Sequence, residues 1–281
     1  MTYDELWHSL LSVYPQREAK AIVQLVLSEL FSMTFTDIVC GKVNELSINE
    51  ERELMKNMSR LLTGEPVQYV LGVADFCGRK FMVGQGVLIP RPETEELCRL
   101  VEADNEDIVS GMNVLDIGTG SGCIAVTLAL DMPKAHVSAW DISEKALSIA
   151  SSNAKKLCAD VAFQQVDALN APSNDSQKWD IIVSNPPYVC DNERSGMEHN
   201  VLDYEPEVAL FVPDDDPLRF YKAIARYAKT ALKENGWLYF EINPLYASDI
   251  ADMLKEQGFE NVVIIKDNFD HLRFAKAMVG R

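Results

Sequence analysis

"VLDIGTGSGCIAVTLAL", residues 114–130, decides the fold of this chain. Val114 to Ile117 read as a strand, and Gly118, Gly120 and Gly122 turn it tightly. Cys123 to Leu130 then begin a helix whose first backbone N–H groups have no partner within the helix and can face an anion. Strand, glycine turn and helix in immediate succession are the unit from which α/β sheets are built. Downstream, "HVSAWD" (136–141), "VAFQQVD" (161–167), "DIIVSN" (180–185) and "GWLYFEI" (236–242) are further short apolar runs, and the segments from the first run at 113–118 to "DIIVSN" can hold helices or loops. That alternation predicts a mostly parallel sheet covered on both faces. Residues 261–279 carry two β-rich runs with a short polar break, which predicts an antiparallel hairpin at the sheet edge.

Upstream the texture differs. Residues 1–72 read as helices only: Thr2 with Glu5 and Ser47 with Glu50 form capping boxes, and Leu6, Leu10 and Leu11, then Ile22, Val23, Val26, Leu27 and Leu30, then Leu54, Met58, Leu61 and Leu62 fall at helical spacing. A small bundle is expected there. Residues 73–92, with Phe76, Phe81, Val83, Val87 and Ile89 among glycines, predict a β-hairpin connector, broken by Pro90 and Pro92 before a helix from about Glu93. The remainder, 93–281, is the sheet-bearing domain.

Composition narrows the function classes. The 281 residues are 47% hydrophobic, enough for a sizeable core. No apolar run reaches about 18 residues and "MTYDELWHSL" has no basic start before an apolar stretch, so neither a membrane span nor a secretion signal is expected, and the cytoplasm is the expected location. Six scattered cysteines without a C-x-x-C pair predict free thiols and no metal site. The net charge of −17 argues against non-specific grip on nucleic acid, which relies on Lys and Arg neutralising phosphates.

Four strand tips carry the candidate site. A nicotinamide site would call for G-x-G-x-x-G; here the third glycine arrives one residue early and Cys123 holds its place. The pattern Gly118, Thr119, Gly120, Ser121, Gly122 after the acidic Asp116 suits S-adenosylmethionine. Asp141, roughly 20 residues on, ends the second strand as an acceptor for both ribose hydroxyls. Asp167 ends the third, where its carboxylate can accept from an adenine amino group. Either aspartate can instead be a helix N-cap, since both precede plausible helix starts.

The fourth tip is "SNPPY", residues 184–188. An amide or exocyclic amino nitrogen is a poor nucleophile whose two hydrogens can be held by two acceptors, and the Asn185 side-chain oxygen with the Pro186 carbonyl form such a pair. Pro186 and Pro187 stiffen the turn and keep Asn185 extended, and Tyr188 offers a flat wall for a planar group. The alternative is a rigid proline turn without catalysis. DNA adenine N6-methyltransferases meet the same problem with the same residues.

These stretches, with "GEPVQYVLGVADFCGRKF" (64–81), "VLIPRPETEEL" (87–97) and "EPEVAL" (205–210), resemble the release factor glutamine N5-methyltransferases of the PrmC/HemK type. The resemblance implies a Rossmann-like class I methyltransferase domain with a mixed seven-stranded sheet. It also implies methylation of the Gly-Gly-Gln glutamine of peptide chain release factors, with S-adenosylhomocysteine as the second product. By it, Asn185, Pro186, Pro187 and Tyr188 hold the substrate amide. Gly118 to Gly122, Asp141, Asp167, Ala168 and Asn185 border the cofactor, and the helical domain helps grip the release factor. It makes Arg91 and Glu93 candidates for closing or positioning the site. Two positions depart from the pattern: Asn243 stands where the fifth strand usually ends E-I-G, read as a tolerated loop change, and Ala168 stands where some members have a tryptophan, leaving only a backbone contact to adenine. A glutamine methyltransferase acting on a ribosomal protein remains open as an alternative.

Overall fold

The computed structural model describes residues 1–106 and 111–280. Helices α1 (Tyr3–Ser9), α2 (Gln16–Phe31), α3 (Phe35–Val39), α4 (Ile48–Leu61) and α5 (Val67–Leu71) open the chain. Both expected capping boxes form: the Thr2 hydroxyl accepts from Glu5 N–H at 3.2 Å while Glu5 accepts from Thr2 N–H at 2.7 Å, and Ser47 and Glu50 do the same. A third box, Thr34 with Asp37, starts α3, a helix too short to show a period. Leu6, Leu10, Val23, Val26, Leu27, Leu54, Met58 and Leu61 share one buried cluster. Leu11 and Leu62, placed on the same stripes by the sequence, face outward at 44% and 42% exposure. Each directly follows a buried leucine, and neighbours in a helix point about 100° apart.

Strands β1 (Val73–Phe76) and β2 (Arg79–Met82) pair across Cys77 and Gly78. Both turn residues have positive φ, 47° and 70°, the backbone that matches the twist of a tight hairpin. The paired strands stop at Met82, earlier than the spacing predicts. Val83, Val87 and Ile89 are buried in a loop instead, because Gly84, Gly86 and Pro90 interrupt a ladder.

After α6 (Pro92–Asp104) come β3 (Met112–Ile117), α7 (Cys123–Asp131), β4 (Ala135–Asp141), α8 (Glu144–Leu157), β5 (Val161–Gln165), β6 (Trp179–Ser184), β7 (Val189–Cys190), α9 (His199–Tyr204), β8 (Phe211–Val212), α10 (Arg219–Ala231), β9 (Leu232–Glu241), α11 (Ala247–Glu256), β10 (Phe259–Lys266) and β11 (Leu272–Val279). The seven-stranded sheet has the order β10-β11-β9-β6-β3-β4-β5. β9, β6, β3, β4 and β5 run parallel, and β11 is antiparallel to both β9 and β10, the expected edge hairpin. Alternation along β3 sends Leu115 and Ile117 into the core with Tyr221 and Ile250, and Met112 and Val114 into the core with Leu97 and Ile124. Strand order reverses at β3, flanked by β4 on one side and β6 on the other, and such a switch point opens a crevice beyond the strand ends.

Contacts divide the chain into two units. One is Met1–Val73 with Glu198–Tyr204, the other Ala74–Met197 with the chain from Glu205 onward. Within the first, the Tyr204 hydroxyl donates to the Thr63 carbonyl at 2.8 Å. Residues 189–213 are thus mostly short elements: besides α9, β7 and β8 pair in parallel, Val189 beside Phe211 and Cys190 beside Val212. No helix among the described residues is long and apolar enough to cross a membrane.

Candidate active site

A cavity of about 390 Å³ lies outside the carboxyl ends of β3, β4, β5 and β6. Gly118 to Ser121, Asp141, Asp167, Ala168 and Asn185 to Pro187 line it. Parallel register brings them level: Ile117 pairs with both Trp140 and Ser184, so the next residues of three strands emerge side by side.

The glycine turn has φ values of +78°, +55° and +81° at Gly118, Gly120 and Gly122. Backbone N–H groups of Gly118 and Thr119 both donate to the Trp140 carbonyl at 2.9 Å, and the Thr119 hydroxyl donates to Asp116 Oδ2 at 2.6 Å. Burial pushes the Asp116 carboxyl up to about 7 against the lowering effect of that bond. A Cβ built at Gly118 or Gly120 would meet nothing within 4 Å, so both leave free space beside the chain. Gly122 differs. It does not line the cavity, and its Cβ would sit 3.0 Å from Ala150 Cβ and 3.2 Å from Ala150 Cα. The third glycine therefore serves the packing of α7 against α8. Gly122→Ala combines a left-handed backbone with overpacking and should cost about 2–4 kcal/mol of stability in denaturant unfolding; a loss below about 0.5 kcal/mol, the scale of an ordinary surface change, would refute this role.

The two aspartates part company. Asp141 Oδ2 accepts from Gly120 N–H and Oδ1 from Ser143 N–H, both at 2.9 Å. It ties the second strand tip to the glycine turn, while Ser143 caps α8. Burial raises the Asp141 carboxyl above its ordinary range. Asp167 does act as a cap: Oδ1 accepts from Leu169 N–H at 2.9 Å and Oδ2 from Asn170 Nδ2 at 2.6 Å, closing the single turn Ala168–Asn170. Apolar residues with no local sequence signal complete the lining. Ile142 and Val208 are 51% and 60% exposed there, and Phe220 joins them.

Asn185 Nδ2 donates to Thr94 Oγ1 at 3.2 Å, Thr94 donates to Glu241 Oε2 at 2.7 Å, and the Tyr188 hydroxyl donates to Glu241 Oε1 at 3.1 Å. Thr94 and Glu241 are buried. Burial, then the Glu241 charge, push the Tyr188 phenol far up, so it stays a donor. Tyr188 does not line the large cavity; it borders an adjoining one of about 50 Å³ that shares Arg91, Asn185 and Pro186 with it. Arg91 pairs with Glu205 at 2.5 Å, and Glu205 also accepts from Ile89 N–H at 3.1 Å, which ties the 83–91 loop to "EPEVAL". Glu93 lines neither cavity. Asn243 is more than a loop variant. At 3% exposure it donates to the Tyr188 carbonyl at 3.1 Å and to Glu193 Oε2 at 3.0 Å, and accepts from Leu245 N–H at 3.0 Å, side-chain bonds a glycine could not make.

A release factor glutamine methyltransferase of Bacteroides thetaiotaomicron is 48% identical over 269 residues, covering 96% of each chain. The chain belongs to the release factor glutamine methyltransferase family. A second member of that family, from Flavobacterium psychrophilum, is 38% identical and covers 95% of this chain and 94% of its own. The methyltransferase domain family matches residues 108–242, and the PrmC N-terminal domain family matches 7–72. Among solved structures, the T. thermophilus 16S rRNA N2 G1207 methyltransferase superposes with a TM-score of 0.53 at 18% identity, over 74% of this chain and 50% of that one, a likeness of fold.

Proposed function

We propose that this enzyme transfers a methyl group from S-adenosylmethionine to the side-chain amide nitrogen (N5) of the glutamine in the Gly-Gly-Gln motif of peptide chain release factors, in the cytoplasm. The observation that carries the reading is Asn185: its NH₂ end is taken by Thr94, so its carbonyl oxygen is left as an acceptor beside the cavity that also contains Asp141 and the glycine turn.

The residues fit an adenosyl cofactor. Open space beside Gly118 and Gly120 lets a ligand approach backbone, the Asp141 carboxylate suits vicinal hydroxyls, and Ile142, Val208, Ala168 and Phe220 supply apolar surface for a heterocycle. When bound, S-adenosylmethionine supplies a methyl group activated by its sulfonium. Asn185 Oδ1 and the Pro186 carbonyl accept the two amide hydrogens of the substrate and so aim its nitrogen. Tyr188 walls the smaller cavity against which the planar amide packs. The substrate nitrogen takes the methyl as the methyl–sulfur bond breaks, with S-adenosylhomocysteine as the second product, then becomes acidic and loses one hydrogen as a proton to water, so orientation, which can lower a barrier by roughly 7–11 kcal/mol, does most of the work. Residues 1–72 are proposed to grip the release factor, with 73–92 as connector and 93–281 as the methyltransferase domain.

A ribosomal-protein glutamine and a DNA adenine are the competing acceptors, and the charge of −17 weighs against DNA. Labelled methyl groups should appear on a release factor and vanish when the Gly-Gly-Gln glutamine is changed to alanine. Transfer to ribosomal protein or DNA, with none to the release factor, would overturn the assignment.

A further inference from the structure

We infer that Thr94, held by Glu241, is a positioning residue that decides which end of the Asn185 amide faces the substrate. The inference rests on the activity proposed above. An asparagine amide is nearly symmetric in shape and opposite in chemistry: one end accepts, the other donates. Turned the wrong way, Asn185 would point an NH₂ at the NH₂ of the glutamine it must hold, two donors face to face. Neither proline fixes this torsion, because they restrain the backbone of Asn185 and not the far end of its side chain. The chain of hydrogen bonds does.

The direction of the chain follows from counting protons. Burial raises the Glu241 carboxyl, while the bonds from Thr94 and Tyr188 and the Arg273 charge favour its ionised form; as a carboxylate it only accepts, so both hydroxyls bonded to it, Thr94 at 2.7 Å and Tyr188 at 3.1 Å, donate. Thr94 has one hydroxyl proton, and Glu241 takes it. Toward Asn185 it can then only accept, so at 3.2 Å it selects the NH₂ end and leaves Oδ1 for the substrate. Thr94 is 3% and Glu241 1% exposed and the bond between them is buried, so water does not compete for the Thr94 hydroxyl hydrogen. Both ends of the relay are anchored on regular structure, Thr94 in the first turn of α6 and Glu241 at the last residue of β9.

Thr94→Val keeps the shape and removes the acceptor. Methyl transfer to the release factor at saturating substrate should fall about tenfold, with S-adenosylmethionine affinity within about twofold of the parent; Thr94→Ser, which keeps the hydroxyl, should stay within about twofold of the parent rate. In an Asn185→Ala background Thr94→Val should cost nothing further, since residues acting through one group are not additive. If the valine variant does not fold, Thr94→Ala in both backgrounds gives the same comparison. A valine variant as fast as the parent, a serine variant as slow as the valine one, or an equal tenfold loss in the Asn185→Ala background would each overturn the inference. A parent that labels no release factor sinks the proposed activity and this inference together, whereas an active parent with an unaffected Thr94→Val sinks the inference alone.

Discussion

Asn185→Ala should lower methyl transfer by about 10²–10³-fold while cofactor affinity changes by less than about threefold. The change removes one of the two proposed acceptors for the substrate amide, and deleting a single positioned hydrogen-bonding group in an active site costs about 2.7–4 kcal/mol in rate. No compensating base is present in the scheme, because the reaction depends on aiming a weak nucleophile and not on deprotonating it first. The residue is tied to the frame by Thr94 and by level register with β3, where the Ser184 hydroxyl donates to the Ile117 carbonyl at 2.6 Å. Loss of the side chain should therefore leave the strand tip in place. Steady-state rates with the release factor, paired with calorimetric titration of S-adenosylmethionine, separate the two effects. A parent-like rate would remove the proposed role of Asn185; a matching collapse of cofactor affinity would make it a binding residue instead.

Asp141→Ala should weaken S-adenosylmethionine binding by about 10²-fold or more. Hydrogen bonds to a charged group contribute about 1.5–3 kcal/mol each, and the variant loses the proposed ribose contacts as well as the tie to Gly120 N–H that shapes the turn. Asp141→Asn should not rescue it. Asp141 uses both oxygens to accept backbone N–H groups, from Gly120 and Ser143, and an amide can offer only one oxygen, so one N–H would face an NH₂. Because burial raises the Asp141 carboxyl, acidification should weaken cofactor binding from a higher pH than an ordinary aspartate would give. Titration calorimetry across pH reads all three; an alanine variant that binds as tightly as the parent would end the ribose assignment.

Much of this site was legible from local pattern, because its parts are strand tips and each tip is a short run ending in an unusual residue. The glycine turn, Asp141 and Asn-Pro-Pro could be found without coordinates, since periodicity and backbone restriction act over a few residues. The same local view could not tell that Gly122 answers to Ala150 in α8 while Gly118 and Gly120 answer to open space. Nor could it separate Asp141, which braces the turn, from Asp167, which caps one. Tyr188 was found as part of the motif, yet its place at a second cavity depends on where Glu241 draws its hydroxyl.

What the amino-acid sequence determined by itself is the α/β architecture, the helical start, the family and the strand tips that line the cavity, because these follow from short patterns along the chain. The tertiary structure alone decided how the Asn185 amide is oriented. Thr94 and Glu241 are 147 residues apart and meet only because the sheet places β9 beside β6 and α6 packs near their ends. A buried hydrogen bond has a direction set by which partner must donate, and that partner is known only once the chain has folded around it.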